Sequence, residues 1–383
     1  MLVIDAPDPT IPGGRGDALD VLVIGAGQAG LAIAYHLRRA GLRFLVVDGA
    51  TELGASWRDR WDSLTLFTPA QYDALPGLAF PAPADTYPTK DQVADYLRSY
   101  AATYELPVLL GTRVTALRRA GDRFAAHTTQ GVLQARQVVV ATGPFQAPVV
   151  PAYGAAIDGS VTQLHSAAYR NPTDIPAGPV VVVGAGNSGR QIALELAATH
   201  DVTLAVGTRS VQLPQRLLGR DLFWWLTALG VIDKTGSSLL AKRMRARGDL
   251  VIGSRLHELA GAGVTVRPRM TAASADTVTF ADSTVLRASS IVWATGFRSD
   301  YSWIEVPGVV VDGRVEHTRG ITPEPGLSFI GLPWQHTRGS ALLGFVKDDA
   351  AWLAEQILAT QATTRVTHPS GGTSGVRISR SER

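Results

Sequence analysis

The chain of 383 residues contains no cysteine. Disulfides, zinc–thiolate sites and thiol nucleophiles are excluded together. So are flavoprotein reductases that relay electrons through a C-x-x-C pair. Lysine is scarce: of 36 basic residues only Lys90, Lys234, Lys242 and Lys347 are lysines. Long apolar runs are missing too. No stretch reaches the roughly 20 residues of a bilayer span, and the N-terminus MLVIDAPDPTIPGGRGDAL lacks a basic n-region and a useful h-region. The expectation is a soluble, cytoplasmic chain without integral membrane contact. The net charge of +3 comes from residues 362–383, where Arg365, Arg377, Arg380 and Arg383 face Glu382 alone. The remainder is neutral, which argues against a nucleic-acid partner. Segment 362–383 is rich in Ser, Thr and Gly and reads as a disordered tail. No metal site is expected.

What is present is glycine in a pattern. Asp20 to Asp48 reads DVLVIGAGQAGLAIAYHLRRAGLRFLVVD. The apolar run Val21 to Ile24 predicts a strand buried on both faces, and Gly25, Gly27 and Gly30 follow it as G-x-G-x-x-G. The first glycine permits a tight turn, the second a close approach of backbone to a pyrophosphate, and the third, with Ala34, close helix–strand packing. The helix N-terminus then favours the phosphates. A second apolar run, Phe44 to Val47, ends at Asp48, 23 residues after Gly25. A carboxylate there accepts ribose hydroxyls and repels a 2′-phosphate, so this unit suits FAD or NAD(H).

The pattern recurs. VVVVGAGNSGRQIALELA places Gly184, Gly186 and Gly189 after another buried strand, and an Ala-Thr-Gly triplet at Ala141-Thr142-Gly143 returns at Ala294-Thr295-Gly296. Two nucleotide units in one chain, the second inserted in the first, are the natural reading. The second unit ends its second strand, Val202 to Val206, in Gly207-Thr208-Arg209-Ser210 with no carboxylate. Arg209 with the hydroxyls of Thr208 and Ser210 would pair with a 2′-phosphate, favouring NADP(H); a solvated surface arginine is the alternative. The expected fold is therefore α/β, with two Rossmann-like dinucleotide-binding domains. Residues 1–155 and 291–361 are expected to form the first domain, for FAD or NAD(H), and 156–290 the second, for NADP(H), with a helical insertion at 213–253. Thr89 to Tyr104 predicts a helix capped by Thr89, with Val93, Tyr96, Leu97 and Tyr100 on one face. Leu343, Val346, Ala350, Leu353 and Ile357 predict a last helix. The insertion is apolar on every side from Leu222 to Ile232 and leaves three readings open: a buried cap or homodimer surface, a wall of the substrate channel, and a peripheral membrane patch.

At this point the chain resembles the class B flavin monooxygenases, which include the flavin-containing monooxygenases, the plant YUCCA type and bacterial relatives. The likeness runs to about Leu358. IDGSVTQLHSAAYRNP, read as the linker between the units, resembles the family fingerprint F-x-G-x-x-x-H-x-x-x-[YF] through Gly159, His165 and Tyr169. It departs by Ile157 for phenylalanine and by two extra residues before His165. WDSLTLFTPAQYDALPG, IVWATGFRSDYSWI and FIGLPWQHTRGSALLGF look like the bacterial and plant-like branch. The resemblance implies that NADPH reduces FAD, that O2 is captured as a flavin hydroperoxide, and that one oxygen passes to a nucleophilic N, S or carbon of a small molecule. A reductase or oxidase without oxygen transfer is the rival. The resemblance extends the cofactor-binding set to Gln28, Ser56, Trp57, Thr142, Gly143, Asn187, Ser188, Thr295 and Gly296. Some animal members carry an asparagine beside the flavin in the segment matching LTLFTPAQY. None stands there here, so Thr68 and Gln71 are the available polar groups, with Gln335 and His336 as further catalytic candidates. His165 is expected to bridge the two domains rather than to transfer a proton.

Overall fold

The computed structural model describes residues 19–207, 211–238, 243 and 250–367. Thr208, Arg209 and Ser210 lie outside the described residues, as does the tail beyond Thr367. The first sheet runs Val108–Leu109, Phe44–Val47, Leu19–Ile24, Gly131–Val140, Arg123–Thr128, Val114–Ala120, with Leu327–Phe329 also paired to Gly131–Val140. The long strand Gly131–Val140 serves two partners. Its first half pairs antiparallel with Arg123–Thr128, and its second half lies parallel to Leu19–Ile24, with Ile24 opposite Val140. Parallel strands need cover on both faces, which is why Val21 to Ile24 is uniformly apolar and buried. One face is covered by the helix Gln28–Arg39 together with Lys90–Thr103 and Val346–Thr367. The other is covered by Tyr301, Ile304, Val306 and Val309.

The second sheet is wholly parallel, in the order Thr265–Pro268, Val202–Val206, Val180–Val183, Ser290–Trp293, Thr162–His165. Its central helix is Asn187–Leu196. Two sequence expectations change here. The fingerprint segment is no mere linker, because Thr162–His165 is the edge strand of this sheet and His165 lies opposite Trp293. Its sequence Thr-Gln-Leu-His holds a single apolar residue, too little patterning to mark a strand. The sheet also extends past the boundary expected at residue 290, since Ser290–Trp293 plays beside Val180–Val183 the part that Gly131–Val140 plays in the first sheet.

Local rules explain the helix ends. Thr89 Oγ1 accepts from Gln92 N at 3.3 Å while Gln92 Oε1 accepts from Thr89 N at 2.9 Å, a reciprocal cap for Lys90–Thr103. The expected stripe of that helix is buried, as are Leu343, Val346, Ala350, Leu353 and Ile357. Each fully buried Leu or Val contributes about 1.5–3 kcal/mol, so this seam against Leu31 and Tyr35 anchors the returning chain to the first unit. The last helix runs on to Thr367, past the start expected for the tail at residue 362. Among the described residues no helix is long and apolar enough to cross a membrane.

Candidate functional site

The two glycine turns repeat one another atom for atom. Gly25 has φ +110° and a Cβ on it would lie 2.5 Å from Ala141 O; Gly184 has φ +108° and its Cβ would lie 2.3 Å from Ala294 O. A Cβ on Gly30 or Gly189 would sit 1.9 Å from the carbonyl oxygen of Gly25 or Gly184. The alanine of each Ala-Thr-Gly triplet is thus the floor of its glycine turn, which ties the two motifs into one device. Gly27 and Gly186 differ: a Cβ there meets nothing within 4 Å. Both are N-caps with no side-chain cap, so the unpaired N–H groups of each helix face open space. That cradle fits a dinucleotide pyrophosphate.

The corners of the units differ. Asp48 Oδ2 accepts from Ala26 N at 2.7 Å and Oδ1 from Ala50 N at 2.8 Å. The carboxylate therefore braces the glycine turn itself. Each oxygen keeps a lone pair for a ribose hydroxyl. In the second unit the corresponding strand leads to Gly207, beyond which Thr208 to Ser210 lie outside the described residues. Arg269 Nη2 donates to Gly207 O at 3.2 Å, placing an unforeseen second cation at this corner. The signal was available: Arg269 follows the third parallel strand, at whose end a nucleotide-facing residue is expected. The nearby Arg190 is buried and donates to Ala185 O and Ser254 O, both at 2.9 Å. Asn187 Oδ1 accepts from Ile252 N at 3.0 Å, fastening the strand Val251–Ile252 beside the helix start. Ser188 is half-buried within that first turn.

Where the triplets leave their sheets, the two units cross. Ala147–Pro148 pairs antiparallel with Phe297–Arg298, and Thr295 Oγ1 donates to Val149 O. Thr142 Oγ1 and Gly143 O both accept from Gln146 Nε2. His165 belongs to this crossing. Its Nδ1 accepts from Ala167 N at 3.1 Å, which leaves the proton on Nε2 for Gly296 O at 3.0 Å. Burial, and less strongly Arg60, lower its pKa against the raising effect of the Gly296 carbonyl, so the neutral ring is a fixed brace. Tyr169 is fully buried and donates to Glu195 Oε2 at 2.8 Å. Gly159 has no close neighbour and no positive φ, so nothing here demands glycine. From the first unit, Ser56 is exposed, and the half-buried Trp57 donates to Gln28 Oε1 at 3.4 Å. Trp61 inserts into the second unit's core beside Tyr169.

The segment LTLFTPAQY faces an aromatic cluster. Phe67 stacks on Phe223 at 6.0 Å, Tyr72 on Phe345 at 6.1 Å, and Phe223 meets Phe345 at 6.0 Å. Phe223 comes from the insertion, on the helix Leu222–Ala228, whose Asp221 cap also accepts from Tyr87 Oη at 2.6 Å. The described part of the insertion packs on the first unit through Phe223. Thr68 is buried and donates to Asp73 Oδ1 at 2.6 Å, while Asp73 Oδ2 is buried without a partner among the described residues. Burial pushes the Asp73 carboxyl up to about 7. Sequence reasoning passed over this residue, since a lone Asp in a loop carries no signal of burial. Gln71 is exposed. Gln335 is a structural staple: its Oε1 accepts from Leu332 N and its Nε2 donates to Phe329 O and Arg319 O. His336 is half-buried in the same loop, its carbonyl accepting from Gly236 N at 2.6 Å. The loops carrying Thr68 and His336 meet where Gly344 packs on the Tyr72 backbone.

A cavity of about 230 Å³ lined by Pro179, Asp201, Thr265 and Arg267 lies at the far ends of the second sheet's strands and holds none of these groups. The family model described as pyridine nucleotide-disulphide oxidoreductase matches residues 22–216. A CzcO-like uncharacterized oxidoreductase of Geobacillus kaustophilus is 43% identical over 89% of this chain and 98% of its own length. The indole-3-pyruvate monooxygenase YUCCA1 of Oryza sativa is 28% identical over 85% of this chain and 86% of its own. A mutant form of the flavin monooxygenase from Stenotrophomonas maltophilia superposes with TM-score 0.73 at 30% identity, covering 90% of this chain and 99% of that one. The disulphide chemistry in the matching model's description is closed to this chain's own side chains, which include no thiol. The chain is accordingly a flavin-dependent oxidoreductase and belongs to the class B flavin monooxygenases.

Proposed function

We propose that the protein is an NADPH-dependent monooxygenase, with FAD in the first unit and NADP(H) in the second, acting in the cytoplasm on a small molecule with a nucleophilic nitrogen, sulfur or carbon. The carrying observation is the duplicated glycine device with different corners: Asp48 in one unit, and Arg269 beside the start of Thr208-Arg209-Ser210 in the other. Bound FAD supplies hydride acceptance and O2 activation, the chemistry no side chain here provides. The chain's share is placement. The open faces at Gly27 and Gly186 take the pyrophosphates, with Gln28 and Asn187 opening the two helices. Thr142, Gly143, Thr295 and Gly296 form the crossing where the reactive ends of the two cofactors would meet. The cluster of Phe67, Tyr72, Phe223 and Phe345 excludes water on the substrate side, with Thr68 and Asp73 as its polar pair. On this reading the domains are residues 1–155 with 294–361, and 156–293.

The test is oxygen bookkeeping. Purified protein with NADPH and ¹⁸O2 is offered a panel of sulfides, amines and ketones. Label in an oxygenated product, at a yield that rises as hydrogen peroxide release falls, supports the reading. NADPH oxidation matched entirely by hydrogen peroxide, with no labelled product from any class, would replace it by the oxidase alternative.

A further inference from the structure

At the crossing, Arg60 has no counter-ion among the described residues. Arg60 Nε donates to Ser56 O at 3.1 Å, and its guanidinium lies over two rings, 5.3 Å from Phe297 and 5.7 Å from Phe145. Its Nη atoms make no hydrogen bond among the described residues and are not sealed from solvent. No carboxylate comes within ion-pair distance of it among those residues. Burial disfavours its charge, and the next contribution is repulsion from Arg170, which outweighs the attraction of Asp59. Arg170 itself donates to Ala167 O and Tyr169 O, both backbone, and neutralises nothing. A half-buried, always-protonated guanidinium facing a second cation is costly unless an anion joins it.

The aromatic partners add a second requirement. Phe145 is 65% exposed although it meets Phe297 edge-on at 5.4 Å. Large apolar side chains left open beside a cation favour a ligand that is flat and apolar next to its charge. Each ring follows an Ala-Thr-Gly triplet, so the spot adjoins both glycine turns.

We propose that Arg60, supported by Arg170 and flanked by Phe145 and Phe297, forms an anion subsite that takes an oxyanion carried next to a flat ring. Two molecules offer that chemistry, an aromatic carboxylate substrate and the nicotinamide-side phosphate of the coenzyme. The substrate arm deepens the monooxygenase reading and rests on it; the binding measurement does not depend on oxygen transfer. The experiment is calorimetric titration of the full-length FAD-loaded protein with 3-phenylpropionate, with its neutral amide, and with NADP⁺. A charge-assisted contact changes affinity roughly ten- to hundredfold. The wild type should bind the carboxylate at least tenfold better than the amide, and Arg60→Gln should erase that preference, with Arg170→Gln weakening it less. If instead Arg60→Gln weakens only NADP⁺ by that factor, the subsite stands and its anion is the coenzyme's. Affinities for both ligands within twofold of wild type, in a variant that keeps FAD, would overturn the subsite. Should Arg60→Gln lose FAD, the exposed Phe145→Leu serves: it should weaken whichever ligand binds several-fold, and unchanged affinity sinks the proposal.

Discussion

Asp73 offers a prediction whose size follows from the structure. It is fully buried; among the described residues Oδ1 is met only by the Thr68 hydroxyl and Oδ2 has no partner. Burial raises its pKa to about 7 from 3.8; the Thr68 hydrogen bond works the other way, and the nearby Asp221 carboxylate adds a smaller push upward. The folded protein therefore holds this proton up to about pH 7, whereas the unfolded chain releases it near pH 4. Between those limits the folded state binds more protons, so stability falls as pH rises. Some three pKa units at about 1.4 kcal/mol each give a loss on the order of 4 kcal/mol from this one group, complete above pH 7. Asp73→Asn keeps the shape and cannot ionise. At pH 4 the variant should lie within about 1 kcal/mol of wild type, and by pH 8 it should be the more stable by roughly 2–4 kcal/mol. Denaturant unfolding of both proteins at several pH values reads the difference, in which carboxylates common to both cancel. Thr68→Val, which removes the donor favouring the anion, should move the falling limb to higher pH. Parallel pH curves for wild type and Asp73→Asn would refute the reasoning.

The glycines separate folding from binding. Gly27→Val should fold yet bind little FAD, because no protein atom lies near its Cβ, whereas Gly25→Ala, with φ +110° and a 2.5 Å contact to Ala141 O, should lose fold and flavin together; circular dichroism beside flavin absorbance decides it. Gly186→Val should likewise spare FAD and weaken NADP⁺ alone, and loss of both cofactors would contradict the assignment of units. Arg209→Ala should raise the KM for NADPH roughly ten- to hundredfold with little change for NADH, and Arg269→Ala should add to it; equal losses for both coenzymes would show that neither contacts the 2′-phosphate. His165→Ala removes two hydrogen bonds at about 1 kcal/mol each and should lower the melting temperature without deleting an ionisation from the pH–rate profile. A lost ionisation with stability intact would make His165 a proton donor.

The nucleotide units were legible because their grammar is local. A buried strand, a glycine turn and a helix lie within one short stretch, and the third glycine of each motif answers a steric demand a few residues away, as Gly30 does beneath Gly25 O. The helices Lys90–Thr103 and Val346–Thr367 were legible for the same reason, through a cap and a stripe. The strand Thr162–His165 was misread because so short a run takes its identity from Ser290–Trp293, a partner far along the chain. The Ala-Thr-Gly triplets were visible as a repeat, but not their task, since the Ala141 and Ala294 carbonyls meet Gly25 and Gly184 only once the sheets form.

The candidate site was harder to read, for a reason the polar residues make plain. Thr68 and Gln71 are close in sequence and were singled out as equivalents, yet one is sealed against Asp73 and the other lies in solvent. Gln335, chosen for its functional group, spends both ends of its amide on backbone. Asp73 and Arg60, by contrast, sit among ordinary loop residues and gain their character from surroundings supplied by distant segments: Gly344 closing on the backbone beside Asp73, and Phe297, after the second Ala-Thr-Gly triplet, reaching Arg60. A side chain's chemistry depends on dielectric and neighbours, and in a chain folded back on itself those neighbours are set by topology. Motifs therefore marked the glycine turns, while the setting of Asp73 and Arg60 emerged only from contacts between segments far apart in the chain.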